Sequence, residues 1–316
     1  LHLCDRRQRQ MCIRDRNKTF SIVNNHIVLP SEYYKTIWGG ANKFWHISNF
    51  NLDVVNLGSN SGVHAFDYSD MNLLGMNWAL GPQSLVHDFS ILKNYFSYLK
   101  ENATVIITLC PFSCLVSSYN KKQNFKYYTF LHPATVQEFD ESEHIRALTL
   151  KKQNVLRTAP LHTLKGLLRS YKRCVSSKIH SFDYENNASN FIESWKKQFG
   201  ISDLDACLSR KHLQEQELRA SNLSEMIDFC LERKLRPVLI IPPIHPELRK
   251  YFTDSFVEHY INDFLKKGNI QSAFFRNYMF DQRFDSDNYF LNSLFLNKKG
   301  AKKFTEIVLH DIGLIQ

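Results

Sequence analysis

The apolar pattern of the chain predicts an α/β protein: a three-layer, flavodoxin-like parallel sheet with helices on both faces, interrupted by a basic helical or irregular insertion. Three observations predict it. Short, β-branched apolar runs at 54–57, 103–109 and 237–241 lack polar alternation, as strands buried on both faces do. Longer stretches between them carry apolar residues at helical spacing. The first run also passes directly into Gly58-Ser59-Asn60-Ser61-Gly62, a small and polar turn at the carboxyl end of a strand, where open α/β sheets place their ligands.

Residues 1–16 hold five Arg against two Asp, and their MCIRDR stretch resembles a translated adapter at the end of a shotgun-assembled reading frame. They are therefore expected not to be native sequence, and are set apart from the fold. Residues 17–50, with Tyr33, Tyr34, Trp38, Phe44 and Trp45, read as a lead-in packing on the domain that fills 51–316. After the first strand and turn, Leu85, Phe89, Leu92, Phe96 and Leu99 mark a helix running to Lys100, with Pro82 near its start. The run 103–109 completes a βαβ unit. The rhythm breaks at about 117–200, the expected insertion. It returns with a helix over 213–234 carrying Leu223, Met226, Ile227, Cys230 and Leu231, then a strand at 237–241 stopped by Pro242-Pro243. Phe256, Val257, Tyr260, Ile261, Phe264 and Leu265 predict a further helix, and 272–275 a short strand. Asn297 is placed to cap a last helix whose Ala301, Phe304, Ile307 and Val308 face inward.

The formal charge of +9 is unevenly spread. Residues 1–16 supply three units, and 117–180 hold twelve Lys and Arg against four acids, so the basicity belongs to the insertion. No nucleic-acid-binding module accompanies it. A solvated or lipid-facing surface, able to meet an acidic glycan or a membrane, fits better than a nucleic-acid partner. The strongest apolar run, 238–241, falls far short of the ~20 residues a spanning helix needs. Seven Cys form neither metal spacing nor an even framework, and free thiols fit a reducing compartment. Neither a metal nor any other cofactor is implied. The Gly58–Gly62 turn also lacks the Lys of a phosphate-binding loop, which counts against a nucleotide-binding reading.

Four stretches together resemble the SGNH (GDSL-like) hydrolase superfamily, and within it the branch that includes the D-alanine transfer protein of teichoic acid synthesis. They are Asn56-Leu57-Gly58-Ser59-Asn60, Gly81-Pro82-Gln83-Ser84-Leu85, Pro242-Pro243-Ile244-His245 and Leu296-Asn297-Lys298-Lys299-Gly300. The resemblance covers about 50–115 and 220–316. It implies ester or O-acyl chemistry on an acylated glycan or other small ester, in the cell envelope. It also implies a Ser nucleophile two residues after the first glycine, a His base, and donors for the oxyanion. The nucleophile position falls on Asn60, flanked by Ser59 and Ser61; Gly81 matches the second-block glycine. Cys110-Pro111-Phe112-Ser113 stands where the third-block Asn is expected, and Phe295 stands where the final His is expected. Ser59 or Ser61 with His245 are accordingly the candidate catalytic groups, with His64 and His87 near the first two blocks. Gly58, Asn60, Gly81, Gln83 and Asn292 are the candidate oxyanion and pocket residues. Two functions follow as expectations: a hydrolase or acyltransferase scaffold with a remodelled, even inactive, site, or a non-catalytic glycan-, lipid- or protein-binding factor that uses the basic insertion.

Overall fold

The computed structural model describes residues 23, 38–45, 47–116, 119–152, 161, 163–169, 182–270 and 275–316. The chain divides into two compact units, one drawn from Leu1–Ile47, Phe125–Phe130 and Phe139–Ser181, the other from Ser48–Asn124, Leu131–Glu138 and Phe182–Gln316.

The second unit holds one five-stranded sheet: β1 (Leu52–Gly58), β2 (Gly75–Asn77), β3 (Leu99–Thr108), β4 (Arg236–Ile241) and β5 (Phe275–Asn277). The strands are ordered β2-β1-β3-β4-β5 and every pair is parallel. This is the doubly wound, flavodoxin-like order. Because side chains alternate along a strand, Val54, Ile106, Val238 and Ile240 enter one core with Ala65, Phe66, Phe304 and Val308. Val55, Leu57, Val105, Ile107 and Leu239, also fully buried, point to the opposite face.

The helices follow from the same periodicity. Besides a four-residue helix at Asn124–Tyr127, they include α1 (Asn60–Ala65), α2 (Leu85–Tyr95), α3 (Glu141–Lys152), α4 (Tyr184–Phe199), α5 (Arg210–Glu232), α6 (Pro246–Arg249), α7 (Asp254–Phe256, Val257–Asn262 and Asp263–Lys267) and α8 (Lys298–Asp311). The segment α7 begins as Asp254–Phe256, passes through a π-helical stretch Val257–Asn262 and resumes over Asp263–Lys267. The cap expected of Asn297 is present, its Oδ1 accepting the Gly300 N–H at 3.0 Å. Helices α8 and α1 pack together, while α5 packs against α2, α7 and β4 through Leu223, Met226, Ile227 and Cys230. Among the described residues no helix is long and apolar enough to cross a membrane.

Several boundaries differ from the sequence reading. Strand β2 is only three residues long, too short for a period to register. It is held by Asn56 Nδ2 donating to Asn77 Oδ1 at 3.1 Å. Helix α2 ends at Tyr95, because Phe96–Tyr98 tightens into a 3₁₀ turn and Leu99 already starts β3. Strand β5 lies at Phe275–Asn277; 272–274 of the expected 272–275 strand lie outside the described residues. The stretch 117–200 does not behave as one insertion. Helix α4 belongs to the sheet-bearing unit, where Asn187 Oδ1 accepts the Ser293 N–H and the Ser293 hydroxyl donates to Tyr184 O. Of the described lead-in residues, 48–50 belong to the sheet-bearing unit, while 23, 38–45 and 47 group with the first unit. There Trp38 stacks on Phe125 and Phe44 on Phe130. Almost all of 1–37 lies outside the described residues, as do 153–160 and 170–181 of the basic stretch.

Candidate functional site at the strand ends

Register aligns the carboxyl ends of the three central strands, with Gly58 opposite Thr108 and Thr108 opposite Ile240. A cavity of about 320 Å³ opens there, lined among others by Ser59, Asn60, Ser84, Thr108, Cys110 and Arg219. Gly58 has φ +128°, and a Cβ at this position would lie 2.7 Å from Thr108 O. Only glycine lets β1 turn this close to β3. Its N–H donates to Asp88 Oδ1 at 2.7 Å, and its carbonyl accepts Gln83 Nε2 at 3.1 Å. Gln83 Nε2 also donates to the Asp88 carboxylate. The Gln83 N–H donates to Ser59 Oγ at 3.1 Å. Gly58, Ser59 and Gln83 are therefore joined in one network. Gly81 faces Asn60, and a Cβ on it would collide with the Asn60 amide oxygen, so a glycine at 81 is what leaves room for that side chain.

The remaining predicted residues divide. Ser61 lines the cavity. His245 does not: it is 4% exposed and caps the start of α6. Its Nδ1 accepts the Glu247 N–H at 3.2 Å, so its Nε2 carries the proton and donates to Asp287 Oδ1 at 3.0 Å. The ring stacks on Tyr184 with centroids 4.0 Å apart. With both nitrogens engaged in these bonds, no lone pair is left for a serine proton, and the structure does not bring His245 to Ser59 or Ser61. Asn292 shapes a turn, its Oδ1 accepting the Leu294 and Phe295 N–H groups at 2.9 and 2.8 Å. That turn carries Phe295, which lines the cavity and stacks against His64. Burial holds the His64 imidazole below its ordinary pKa.

A different constellation does assemble. Ser84, at the start of α2, caps none of that helix's N–H groups with its side chain. Its Oγ lies 2.8 Å from His87 Nδ1, and His87 Nε2 lies 2.9 Å from Asn124 Oδ1. Asn124 Nδ2 donates to the Gln137 carbonyl and to the Tyr119 hydroxyl, both at 2.9 Å. A carbonyl can only accept, so the amide orientation is set. Asn124 Oδ1 must then receive the Nε2 proton of the neutral ring. His87 Nδ1 is left as acceptor, and the Ser84 hydroxyl donates to it. Ser84, His87 and Asn124 are all buried, and Ser84 lines the cavity.

One further residue, Arg219, has no role in the sequence reading. Cys110 and Cys114 stand near Arg219, and burial pushes the Cys114 thiol up to about 12. Arg219 lies on α5 in the same apolar stripe as Leu223, Met226, Ile227 and Cys230. An arginine in such a stripe is the one signal the sequence offered for it. Among the described residues no group of three or more His, Cys, Asp or Glu is placed to hold a metal ion. No protein-family model and no curated protein matches the chain.

Proposed function

We propose that the protein performs ester chemistry at the strand-end cavity, cleaving or transferring an O-acyl group carried by a cell-envelope glycan. The observation that carries this is the 2.8 Å bond from the Ser84 hydroxyl to His87 Nδ1, with the ring's other proton held on Asn124. A serine is a weak nucleophile until a positioned base takes its proton. In this reading Ser84 Oγ attacks the acyl carbonyl carbon as its proton passes to His87 Nδ1. The imidazolium then returns that proton to the departing glycan oxygen, leaving an acyl-Ser84. Water or a second hydroxyl, deprotonated by His87, releases the acyl group and restores the serine. Asn124 holds the tautomer, in the manner of the third member of a triad. In this reading the first-turn N–H groups of α2, uncapped by the Ser84 side chain, donate to the developing oxyanion. The fold and the Gly58, Gln83 and Gly81 framework support the SGNH-like scaffold, with its nucleophile moved from the first block to the second.

A second reading is binding without turnover. Its support is specific: Asn60 and Phe295 occupy the positions where the resembled family keeps its nucleophile and base, and neither can exchange a proton with a substrate. Hydrolysis of p-nitrophenyl acetate separates the two. Turnover above background that Ser84→Ala abolishes, and that Ser59→Ala leaves within a few-fold, supports the Ser84 reading. Absence of turnover, or turnover indifferent to Ser84→Ala, sinks it in favour of binding.

A further inference from the structure

We infer that Arg219 is an anion-recognising residue of the strand-end cavity, and that the ligand carries a phosphate or carboxylate group. Arg219 is 2% exposed, yet its Nε and Nη1 have no hydrogen-bond partner among the described residues. Arginine offers only donors, so what satisfies it must be an acceptor, and a delocalised oxyanion matches it best. The acids near it do not fill that role. Glu215, one turn earlier on α5, is exposed and makes no ion pair with Arg219 among the described residues. Asp88, the carboxylate lining the cavity, accepts instead from Gly58 N–H and Gln83 Nε2.

Arg219 borders two cavities. Arg219 lines the 320 Å³ strand-end cavity and a neighbouring one of about 440 Å³, rimmed by Lys211 and His212. The two cavities share Val116, Gln198 and Arg219. A second group points the same way: the Thr108 hydroxyl, at the end of β3, is buried without a partner among the described residues, and Thr108 lines the strand-end cavity. A buried donor left unpaired in a folded protein calls for an explanation. A bound oxyanion supplies one for Arg219 and gives Thr108 a hydrogen-bond partner. Burial lowers the Arg219 pKa only to about 10, so the side chain remains cationic at neutral pH and able to pair.

This inference rests on the strand-end cavity being the binding site, and it narrows the substrate to an acyl-bearing molecule with an acidic group. Its test does not depend on turnover. Calorimetric titration of the full chain uses inorganic phosphate, glucuronate, and neutral methyl glucoside as control. Phosphate or glucuronate should bind wild-type protein and the Ser84→Ala variant alike. Arg219→Gln should weaken that binding at least tenfold, and Arg219→Lys, which keeps the charge, by less. Binding of phosphate alone assigns a phosphorylated ligand; binding of glucuronate alone assigns a carboxylated one. No anion binding by wild-type protein, or equal binding by Arg219→Gln, overturns the inference. Should Arg219→Gln fail to fold, Arg219→Met, which removes the charge but keeps the apolar stem, takes its place, and unchanged anion affinity in it overturns the inference. Because p-nitrophenyl acetate is neutral, an inactive protein that still binds anions through Arg219 refutes only the ester chemistry.

Discussion

Replacing Arg219 by methionine should stabilise the free protein. Burial, only partly offset by Cys114, Cys110 and Glu215 nearby, brings the Arg219 pKa down to about 10, and no ion pair forms with it among the described residues. Against the ordinary arginine value this corresponds to about 3 kcal/mol of penalty for keeping the charge in the native state. Methionine retains most of the aliphatic stem and fits irregular space. The volume lost with the guanidinium returns roughly 1 kcal/mol of that gain. The net expectation is stabilisation of about 1–3 kcal/mol at pH 7, as when an unsatisfied buried charge gives way to an apolar side chain. The pH dependence has a definite sign. The native side chain releases its proton near pH 10 while the unfolded one keeps it to higher pH. Above that point the unfolded state holds more protons, so wild-type stability rises with pH relative to the variant. The gap between the two proteins should therefore narrow as pH rises through about 10. Urea denaturation followed by far-UV circular dichroism, at pH 7 and pH 10.5 in phosphate-free buffer, measures both effects. A methionine variant less stable than wild type at pH 7 would mean that Arg219 holds the fold through a partner of its own, and the reasoning would fail.

Two other substitutions probe the framework and the family resemblance. Gly58→Ala should cost about 3 kcal/mol or more, since the new Cβ meets Thr108 O at 2.7 Å and Thr108 Cβ at 2.9 Å, on top of roughly 1–3 kcal/mol of backbone strain at φ +128°. A loss under 1 kcal/mol in the same denaturation assay would show that β1 and β3 can part there cheaply. The double change Asn60→Ser with Phe295→His restores a hydroxyl and an imidazole to the two altered family positions. It should raise p-nitrophenyl acetate turnover by about 10²-fold, the lower range for one positioned base. Unchanged rates would deny that these two positions correspond to the family's catalytic pair.

The strands at 54–57, 103–109 and 237–241 were legible because a strand buried on both faces must be apolar throughout, and few other structures tolerate that pattern. The gathering of Gly58, Ser59 and Gln83 was legible too, since a strand ending in small residues has to turn at the sheet's carboxyl edge. What could not be read was pairing across long separations. Asn124 follows His87 by 37 residues, and nothing local in Lys122-Gln123-Asn124 announces that its amide reaches back to α2. His245 was ambiguous for the opposite reason. A histidine before Pro246 can face a pocket or cap a helix, and the Glu247 N–H, within the same turn, decides for the cap. Arg219 is hard to read because the apolar stripe that marks α5 runs from Leu223 to Cys230, and a charged residue one turn before it breaks the apolar rule that defines the stripe.

Three serines line the cavity near the first two motifs, and their hydroxyls are not equivalent. Ser59 Oγ accepts a backbone N–H from Gln83, which draws electron density away from the oxygen and lowers its nucleophilicity. Ser61 lies in the first turn of α1 with no histidine bonded to it among the described residues. Ser84 alone donates to an imidazole nitrogen whose lone pair is fixed in direction by a neighbour. Proton acceptance, rather than closeness to the first glycine, is what a serine nucleophile requires. The choice among the three therefore falls on the residue that the family pattern would have passed over. It also places the hydroxyl on α2 and the cation on α5. Those two helices pack against each other, so one rigid pair of elements would hold both the attacking group and the anchor for an acidic substrate. The Ser84 and Arg219 variants can then be separated cleanly: loss of the hydroxyl should spare anion binding, and loss of the cation should spare turnover of a neutral ester.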